Sequence, residues 1–414
     1  MSTPDVGTAG HVPPAPEGAQ PALRVVVVGS GWRFTSGISY YTWRLVTALH
    51  DHGHAPAALL MRRLLPARLY PGRARVGAAT DRPRYDAAIP VFDGVDWWAV
   101  PSLFRAVRFL RRARPQVVIL EWWTATVLHS YLVLSITARL LRAKVVVEFH
   151  EVLDTAELRV PLVGPYSRSM ARLILRFMDA AIVHSDYDRA LLQRVYQLPG
   201  VPTIVTAHGP FDYLVATESE PATGDEDTSD RPFDVLFFGT IRPYKGLEHL
   251  VAAFDALSPE EVTSYRLTVV GETWEGWTLP AELIAASPRR DRIRFVNRYV
   301  DDREAARFFA SADAVVLPYL RSSASGPLHL AMSHGLPLAI TDVGGLREAA
   351  QDYEGAVFVQ PGDPAALTEA IRLLRTRRGM RYADPQSWSR TVGAIESLAG
   401  TLLSATVPPT GRRR

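Results

Sequence analysis

Two cations stand close together in a glycine-bounded loop, Arg242 and Lys245 in GTIRPYKGLEH. The apolar run 235–238 before the loop predicts a buried strand, and apolar residues at helical spacing after it predict a helix. Because the N-terminus of a helix already carries partial positive charge, two further cations there are costly without an anion. A bound phosphate would satisfy the cations and the helix end together. A solvated loop with two long cationic side chains is the alternative that this stretch leaves open.

A second loop, of the small residues Ser323 to Gly326, follows the apolar run 314–317, which predicts another buried strand. Small residues let backbone N–H groups approach a ligand closely. A short helix is predicted after this loop, at about 328–333. In open parallel sheets, loops of this kind gather at the C-terminal ends of the strands, where ligands bind. The two loops together therefore favour an anion-binding site.

The order of these segments resembles family 4 of the retaining glycosyltransferases, which have the two-domain GT-B fold. The matching stretches are FGTIRPYKGLEHLVAAF, VVGE, ADAVVLPY, SGPLHLAMSHGLPLAITDVGGLRE and GAVFVQPGDPAAL, in the family's order over about residues 233–375. The resemblance implies a nucleoside diphosphate sugar as donor substrate and no cofactor besides it. It also implies front-face attack by the acceptor, with the leaving phosphate taking the acceptor's proton.

The loops and the resemblance together indicate a set of donor-binding residues: Gly37, Gly239, Arg242, Lys245, Ser325, Gly326, Pro327 and Leu328. Arg242 and Lys245 are expected to neutralise the leaving diphosphate, which makes both of them catalytic candidates. The fourth motif departs from the family pattern, because Ser322 and Leu330 stand where two glutamates eight residues apart are usual. In the family the first glutamate contacts the donor sugar and the second the ribose. Some relatives carry a similar variant loop, so the departure is not interpreted as loss of activity.

His150 and Glu151 follow the predicted strand 144–149, at the end of the strand where α/β proteins form ligand sites. Family members often carry a histidine after this strand, near the reacting sugar. The resemblance therefore implies that His150 is catalytic, and it makes Glu151 and Tyr40 weaker candidates on the acceptor side. A buried structural histidine is the alternative.

Asp186 and Asp188 form an Asp-x-Asp pattern, which in other glycosyltransferases holds a metal-bound diphosphate. Here the pattern follows the predicted strand 180–184, and Ser185 can cap a helix that begins near Asp186. Both carboxylates would then lie in the first turn of a helix, where they are favourable to its dipole. We prefer this structural role, and we expect no metal site.

The first strand, loop and helix run from Arg24 to His50 and contain Gly29, Gly31 and Gly37. In the resembled family this glycine loop faces the donor diphosphate and the acceptor. The loop lacks a glycine at the sixth position of the dinucleotide fingerprint and an acidic residue at the required distance. These two absences exclude a nicotinamide cofactor.

The alternation of predicted strands and helices indicates an α/β fold with two Rossmann-like domains facing a central cleft. The expected division is a flexible arm 1–22, an acceptor-side domain 23–215, an acidic linker 216–232, a donor domain 233–385, a helix 386–406 that crosses back to the first domain, and a disordered basic tail 407–414. The linker is predicted from its polar, acidic composition with almost no large apolar groups. Strands of the donor domain are expected at 235–238, 267–270, 293–296, 314–317, 338–340 and 356–359.

The chain contains no cysteine, which excludes disulfides and thiolate metal sites and suits a reducing compartment. The longest apolar stretch, 126–141, is interrupted by His129 and Arg139, so a buried helix is expected there and not a membrane span. The first 22 residues lack the apolar core of a signal peptide. We therefore expect a cytoplasmic protein.

Charge is distributed unevenly, with a net +8 in residues 1–216 and −5 in residues 217–414. The segment LFRAVRFLRRAR at 103–114 and the earlier MRRLLPARLYPGRAR mix arginines with apolar residues. Basic amphipathic segments can lie on anionic membranes, which makes peripheral membrane contact through the N-terminal domain a candidate. A solvated helix face is the alternative. A glycan or lipid-linked acceptor is expected as partner, and a nucleic acid is not.

Two other functions remain open on the sequence alone. A nucleotide-sugar epimerase shares the two-domain architecture and would turn over the donor without an acceptor. A non-catalytic nucleotide-sugar-binding subunit is compatible with Ser322 and Leu330 at the glutamate positions. Neither the sugar, the nucleotide nor the acceptor is determined by the sequence.

Overall fold

The computed structural model describes residues 22–32, 37–63, 83–96, 100–124, 127–152, 163–212, 231–273, 277–321 and 324–405. Within these residues the chain forms two β-sheets, one of seven strands and one of six. Strand pairing is parallel throughout both sheets, and helices connect most of the successive strands. This is the α/β architecture that the alternation of apolar runs predicted.

The first sheet has the strand order β3-β2-β1-β4-β5-β6-β7. Its strands are β1 (Arg24–Ser30), β2 (Ala55–Arg63), β3 (Val91–Asp96), β4 (Val117–Trp122), β5 (Lys144–Phe149), β6 (Ala180–Val183) and β7 (Thr203–Val205). The helices of this half are α1 (Gly37–Asp51), α2 (Val100–Ala113), α3 (Leu128–Leu140), α4 (Val163–Leu175) and α5 (Asp186–Tyr196). Strand β4 is buried at every residue and β1 at every residue after Arg24, as expected of central strands covered on both faces.

The second sheet has the strand order β10-β9-β8-β11-β12-β13. Its strands are β8 (Phe233–Phe238), β9 (Tyr265–Val270), β10 (Ile293–Val296), β11 (Ala314–Leu317), β12 (Leu338–Thr341) and β13 (Ala356–Val359). The helices that follow β8 are α6 (Leu247–Asp255), α7 (Leu279–Ala286), α8 (Asp302–Ser311), α9 (Gly326–Ser333), α10 (Gly345–Ala350), α11 (Pro364–Thr376) and α12 (Trp388–Ser404). All six strands predicted for this half are present, with small differences at their ends.

Each sheet has a point at which the direction of strand order reverses, between β1 and β4 in the first and between β8 and β11 in the second. At such a point the loops leaving two adjacent strands diverge, and a crevice opens between them. The loop 239–246 follows β8, and the described residues 318–321 and 324–325 lie between β11 and the helix α9. The two sequence stretches with candidate anion-binding residues therefore flank the crevice of the second sheet.

The C-terminal helix α12 returns to the first half of the chain, as predicted. Its buried residues Val392, Ile395 and Leu398 belong to a core cluster formed with β1 and α1. His54 Nδ1 accepts the Leu23 N–H, so His54 Nε2 carries the proton and donates it to the Glu396 carboxylate at 2.7 Å. A helix from the end of the chain thus covers one face of the first sheet.

Strands β2 and β3 are not among the predicted elements, and the basic run that begins at Met61 was interpreted as an amphipathic segment. The structure places Met61 to Arg63 at the end of β2, with the Arg62 guanidinium paired to Asp96. These arginines are therefore part of a strand and an ion pair, and the rest of that run lies outside the described residues. The arm 1–22, the linker 216–232 and the tail 407–414 also lie almost entirely outside them, so the proposed domain limits remain predictions.

Within the stretch predicted as a buried helix, Leu128–Leu140 form α3, which is buried along one face but exposes Leu140. Among the helices that the structure describes, none has both the length and the apolar character needed to cross a bilayer.

Candidate active site

The loop after β8 is shaped by two glycines in the left-handed region of the backbone map. Gly239 has φ of +111° and Gly246 has φ of +63°, conformations that other L-residues rarely adopt. A Cβ at Gly246 would collide with the carbonyl oxygen of Pro318 in the loop after β11. Between the two glycines, Pro243–Lys245 form a 3-10 turn that leads into α6. The glycines therefore allow the two loops of the crevice to touch.

Lys245 is buried in this crevice, with 8% of its surface exposed. Its Nζ lies 5.0 Å from the centre of the Tyr319 ring, a cation–π distance. Burial lowers the pKa of Lys245 to about 8, against an opposing effect of Tyr244, and the nearby Arg242 guanidinium makes a smaller contribution that also lowers it. Within the described part of the chain, no carboxylate lies at ion-pair distance from its Nζ.

The predicted clamp residues Arg242 and Lys245 are brought together as expected. Arg242 is half-buried at the start of the 3-10 turn, and its carbonyl accepts the Lys245 N–H at 2.9 Å. Two cations thus occupy one short turn beside a glycine. An anion entering the crevice would offset the cost of burying the ammonium.

The second loop supplies a capped helix start next to this turn. Ser325 is the N-cap of α9, and its Oγ accepts the Leu328 N–H at 3.3 Å. A Cβ at Gly239 would lie 3.0 Å from Lys245 Nζ and 3.2 Å from Pro327 Cγ, so Gly239 is the point where both loops meet. Since Pro327 has no N–H and that of Leu328 is used by the cap, Ser325 and Gly326 offer the remaining backbone donors at this helix end.

Of the two positions where the family usually has glutamates, Leu330 lies in α9 with 7% exposure, packed in the core of the second sheet. Ser322 lies outside the described residues. Gly37 begins α1, where an added Cβ would contact the Phe211 ring at 3.5 Å. Because Phe211 belongs to the core of the second sheet, Gly37 lies near the boundary between the two halves of the chain.

His150 lies just beyond β5 and is buried, with 5% of its surface exposed. Its ring meets the edge of Tyr41 at a centroid distance of 4.5 Å and lies 5.0 Å from the ring of His184. Burial lowers the pKa of His150, and the neighbouring His184 lowers it further. His150 is therefore a neutral imidazole, while the adjacent Glu151 is exposed.

Two buried carboxyl groups, which the sequence reasoning missed, accompany His150. Glu148 accepts a hydrogen bond from the Tyr41 hydroxyl at 2.5 Å, and Glu121 accepts one from Thr42 at 2.5 Å. Burial raises the pKa of Glu148 to about 7, against the opposing effect of the Tyr41 hydrogen bond. The available signal was an acidic residue at the end of an otherwise apolar strand, in VVILEW and KVVVEF.

Histidines from both halves of the chain meet beside this group. His208, just after β7, stacks on His329 of α9 at a centroid distance of 4.7 Å, with an interplanar angle of 23°. Burial lowers the pKa of His329 to about 3 and that of His184 to about 4. A cavity of about 180 Å³ is lined by His184 and His208 from the first half and by His329 from the second. None of these three histidines was among the predicted site residues.

Two further contacts join the halves. The Tyr40 hydroxyl donates a hydrogen bond to Asp302 at the start of α8, and burial raises the pKa of Asp302 to about 6. Glu348 of α10 accepts the backbone N–H of Tyr187 at 2.9 Å and that of Asp186 as well. Tyr40 was expected on the acceptor side, and the structure places it at the boundary between the halves.

The Asp-x-Asp residues lie in the first turn of α5, as predicted. The Ser185 hydroxyl caps this helix by accepting the Asp188 N–H at 3.0 Å. Asp188 is buried, and its carboxylate accepts a hydrogen bond from Ser185 at 2.7 Å. Both carboxylates therefore lie where they are favourable to the helix dipole.

Two family models match the chain, one over each half. Residues 36–209 match the glycosyl transferase 4-like domain, and residues 232–376 match glycosyl transferases group 1. The chain belongs to the group 1 glycosyltransferases. The two matches cover the second sheet with its crevice residues and the first sheet apart from β1.

Curated relatives are similar over part of their lengths. The chain is 25% identical over 252 residues to the O-antigen chain mannosyltransferase B of Escherichia coli, covering 56% of this chain and 65% of the relative. It is 30% identical over 220 residues to a D-inositol 3-phosphate glycosyltransferase of Xylanimonas cellulosilytica, covering 51% of each. The chain thus spans less than two thirds of the length of either relative.

A solved structure shows the same fold over nearly the whole chain. The crystal structure of Anabaena HepE in complex with UDP and glucose superimposes with a TM-score of 0.60 at 17% identity, covering 92% of this chain and 100% of HepE. The expected GT-B architecture of this group 1 glycosyltransferase is therefore confirmed.

Proposed function

We propose that this protein transfers a sugar, with retention of anomeric configuration, from a nucleoside diphosphate sugar to an acceptor bound between its two halves. The observation that carries the proposal is the buried ammonium of Lys245, which lies at the strand-order reversal of the second sheet beside Arg242. A diphosphate supplies a counter-ion for the buried ammonium of Lys245. The complex of HepE with UDP and glucose supports the same class of donor.

The reaction then depends on stabilising the charge of the leaving diphosphate. Arg242 and Lys245 contribute positive charge, and the N–H groups of Ser325 and Gly326 at the start of α9 contribute hydrogen-bond donors. Because the charge on the leaving group increases toward the transition state, these contacts lower the barrier more than they strengthen donor binding. We propose that the acceptor hydroxyl attacks from the face that the diphosphate leaves, and that the leaving phosphate takes its proton.

Side chains alone neutralise the diphosphate in this proposal, without a cofactor or a metal at the donor site. His150, in the other half, acts on the sugar side of the donor. The acceptor is proposed to be a glycan or a lipid-linked sugar, which the similarity to an O-antigen chain mannosyltransferase supports. The similarity to a D-inositol 3-phosphate glycosyltransferase supports a small phosphorylated acceptor as the second choice.

Calorimetric titration of UDP, GDP and the bare nucleosides tests the clamp. Each nucleotide is titrated into the wild type, Arg242→Ala, Lys245→Ala and the control Arg307→Ala, which removes an exposed cation of α8. Losing one charge-assisted partner costs about 1.5–3 kcal/mol, so diphosphate affinity should fall about ten- to a hundredfold in the first two variants. Nucleoside affinity should barely change, and Lys245→Arg should not fully rescue. If diphosphate binds all the folded variants equally, the donor site lies elsewhere.

Product analysis separates transfer from the two other functions that the sequence left open. Loss of donor that depends on an acceptor supports the proposed transferase. Epimerised donor formed without any acceptor would identify an epimerase, and tight donor binding without turnover would identify a binding subunit. The binding-subunit outcome is included because Leu330 is a core residue at a position where the family usually has a glutamate.

A further inference from the structure

A compact set of side chains lies near the ends of β5 and β6. It consists of His150, which is proposed to act on the sugar side of the donor, and of Glu148 and His184, which the proposed reaction does not use. Glu148 and His150 are two residues apart in extended chain, so their side chains lie on the same face. Strands β5 and β6 are parallel, with Glu148 opposite Ile182, which places His184 beside His150. The Glu148 and His184 side chains approach to 3.8 Å between Oε1 and Nε2. One donor atom from each of the three residues lies within 4.8 Å of the other two.

The donor atoms of this set are buried and lack partners among the described residues. Both ring nitrogens of His150, Nε2 of His184 and Oε2 of Glu148 have no hydrogen bond there. All three residues are at least nine-tenths buried by side chain. Each unsatisfied buried polar atom costs roughly 1–3 kcal/mol, so a ligand that used several of them would stabilise the fold.

Neighbouring groups orient two of the three side chains toward a common ligand. His184 Nδ1 lies 3.1 Å from the Thr206 carbonyl oxygen, so Nδ1 carries the proton and Nε2 keeps its lone pair. The Tyr41 hydroxyl holds Oε1 of Glu148 at 2.5 Å, which leaves Oε2 available. A histidine whose second nitrogen donates to a carbonyl is the usual arrangement around a bound metal.

We infer that Glu148, His150 and His184 bind a divalent transition-metal ion of the zinc type. Two imidazoles and one carboxylate match the ligands that Zn²⁺ prefers, whereas Mg²⁺ and Ca²⁺ prefer oxygen alone. Zinc bonds of about 2.0–2.2 Å would draw the three donors closer together than they now lie, which rotation of the two imidazoles can supply. Three protein ligands leave a fourth position open.

This site is independent of the proposed donor clamp, and it does not involve the Asp-x-Asp residues. It differs from the expectation that the chain binds no metal, which rested on Asp186 and Asp188 in the first turn of α5. His184 also lines the cavity of about 180 Å³ between the halves, so one member of the set adjoins a space that can hold solvent. The ion would join the ends of two adjacent strands beneath α1.

Metal binding is tested on the full chain, prepared without a histidine tag and treated with a chelator. Zn²⁺ is titrated by calorimetry, and Co²⁺ binding is followed by visible absorption, which is intense for four-coordinate sites. One ion per folded chain is expected. The affinity should fall at least about tenfold in His184→Ala and in Glu148→Gln, since the loss of even an outer-shell partner costs about ten- to a hundredfold. The control His329→Gln changes a neighbouring buried imidazole outside the set and should bind like the wild type.

Two outcomes would overturn the inference: no stoichiometric Zn²⁺ or Co²⁺ binding by the folded wild type, or equal affinity in wild type, His184→Ala and Glu148→Gln. If a variant does not fold, the wild-type Co²⁺ spectrum and a rise in melting temperature that saturates at one Zn²⁺ per chain decide the question, because an ion selective for the folded state stabilises it. UDP binding measured in the presence of chelator should be unchanged. A failed metal titration with intact UDP binding would refute this site alone.

Discussion

At the scale of single residues, Lys245 and His150 illustrate two different effects of burial. Lys245 keeps a charge in a crevice beside Tyr319, and the residues described around it supply no countercharge. His150 is kept neutral by its surroundings, which include the Tyr41 ring and His184. The first arrangement favours an anionic ligand, and the second favours hydrogen bonding or metal ligation by a lone pair.

Diphosphate binding should depend on pH through Lys245. The pKa of this buried group is lowered to about 8 without ligand, so it loses its proton as the pH rises through 8. Because the anion needs the protonated form, UDP affinity measured by calorimetry should fall by about tenfold or more between pH 7.5 and 9.5. In Lys245→Arg the affinity should be nearly flat over this range, since the guanidinium stays charged. A wild-type affinity that is equally flat would contradict a role for the ammonium.

His150 should affect turnover more than donor binding. In the proposed reaction it acts on the sugar side and not on the diphosphate, so His150→Ala should lower kcat with little change in UDP affinity. The matched control is His329→Ala, a buried imidazole in the donor half. Near-normal turnover of a folded His150→Ala variant would show that His150 is structural and does not contribute to the reaction.

At the scale of elements, helix α2 is amphipathic, with one buried apolar face and one exposed, strongly basic face. Ala106 and Leu110 are buried, whereas Phe104 is 72% exposed among exposed arginines. An apolar side chain that projects among cations is typical of segments that lie on anionic membranes. We propose that this face gives the N-terminal half peripheral contact with a membrane, and a solvated helix face remains the alternative.

Charge reversal on α2 tests this contact. The triple variant of Arg108, Arg111 and Arg112 to Glu should bind vesicles with anionic headgroups more weakly at low salt, because each cation near the surface contributes about 1 kcal/mol. UDP affinity should be unchanged. A control with the same change in net charge replaces three exposed arginines of the other half: Arg290, Arg294 and Arg307. Equal vesicle binding by the wild type and the α2 variant in cosedimentation would contradict membrane contact through α2.

At the scale of the whole molecule, α12 holds the end of the chain against its first half. Trp388 begins this helix, donates its indole N–H to the Pro210 carbonyl at 3.2 Å and packs on Tyr41 at a centroid distance of 5.2 Å. A Cβ at Gly209 would lie 2.5 Å from the Trp388 ring, so a glycine is needed for this contact. Tyr41 also contacts the buried Glu148 and His150.

Truncation of Trp388 should therefore destabilise the first half of the molecule. Removing a buried aromatic side chain costs about 3–5 kcal/mol, so Trp388→Ala should lower the midpoint of denaturant unfolding clearly. Ser397→Ala, on the exposed face of the same helix, should change stability by less than about 0.5 kcal/mol. Equal midpoints for the two variants would show that α12 contributes little to the stability of the first half.

The sequence by itself determined the elements whose signals are local. The apolar runs of β8 and β11, the glycines around Lys245 and the Ser185 cap each depend on neighbours within a few residues, and all were predicted. β2 and β3 were missed, because APAALLMRR has few β-branched residues and VFDGVD interrupts its apolar residues with carboxylates. Their place in the sheet comes from pairing with β1, which lies far away in the chain.

Only the tertiary structure decided which side chains meet. Tyr40 reaches Asp302, and His208 stacks on His329, across separations that no sequence period encodes. The Glu148, His150 and His184 set depends on the register of β5 against β6, because a shift of one residue would turn each side chain to the opposite face. Register and sheet order follow from burying both faces of each sheet at once, a property of the whole fold. The donor loop was therefore predictable from its own residues, whereas the polar cluster of the first half was not.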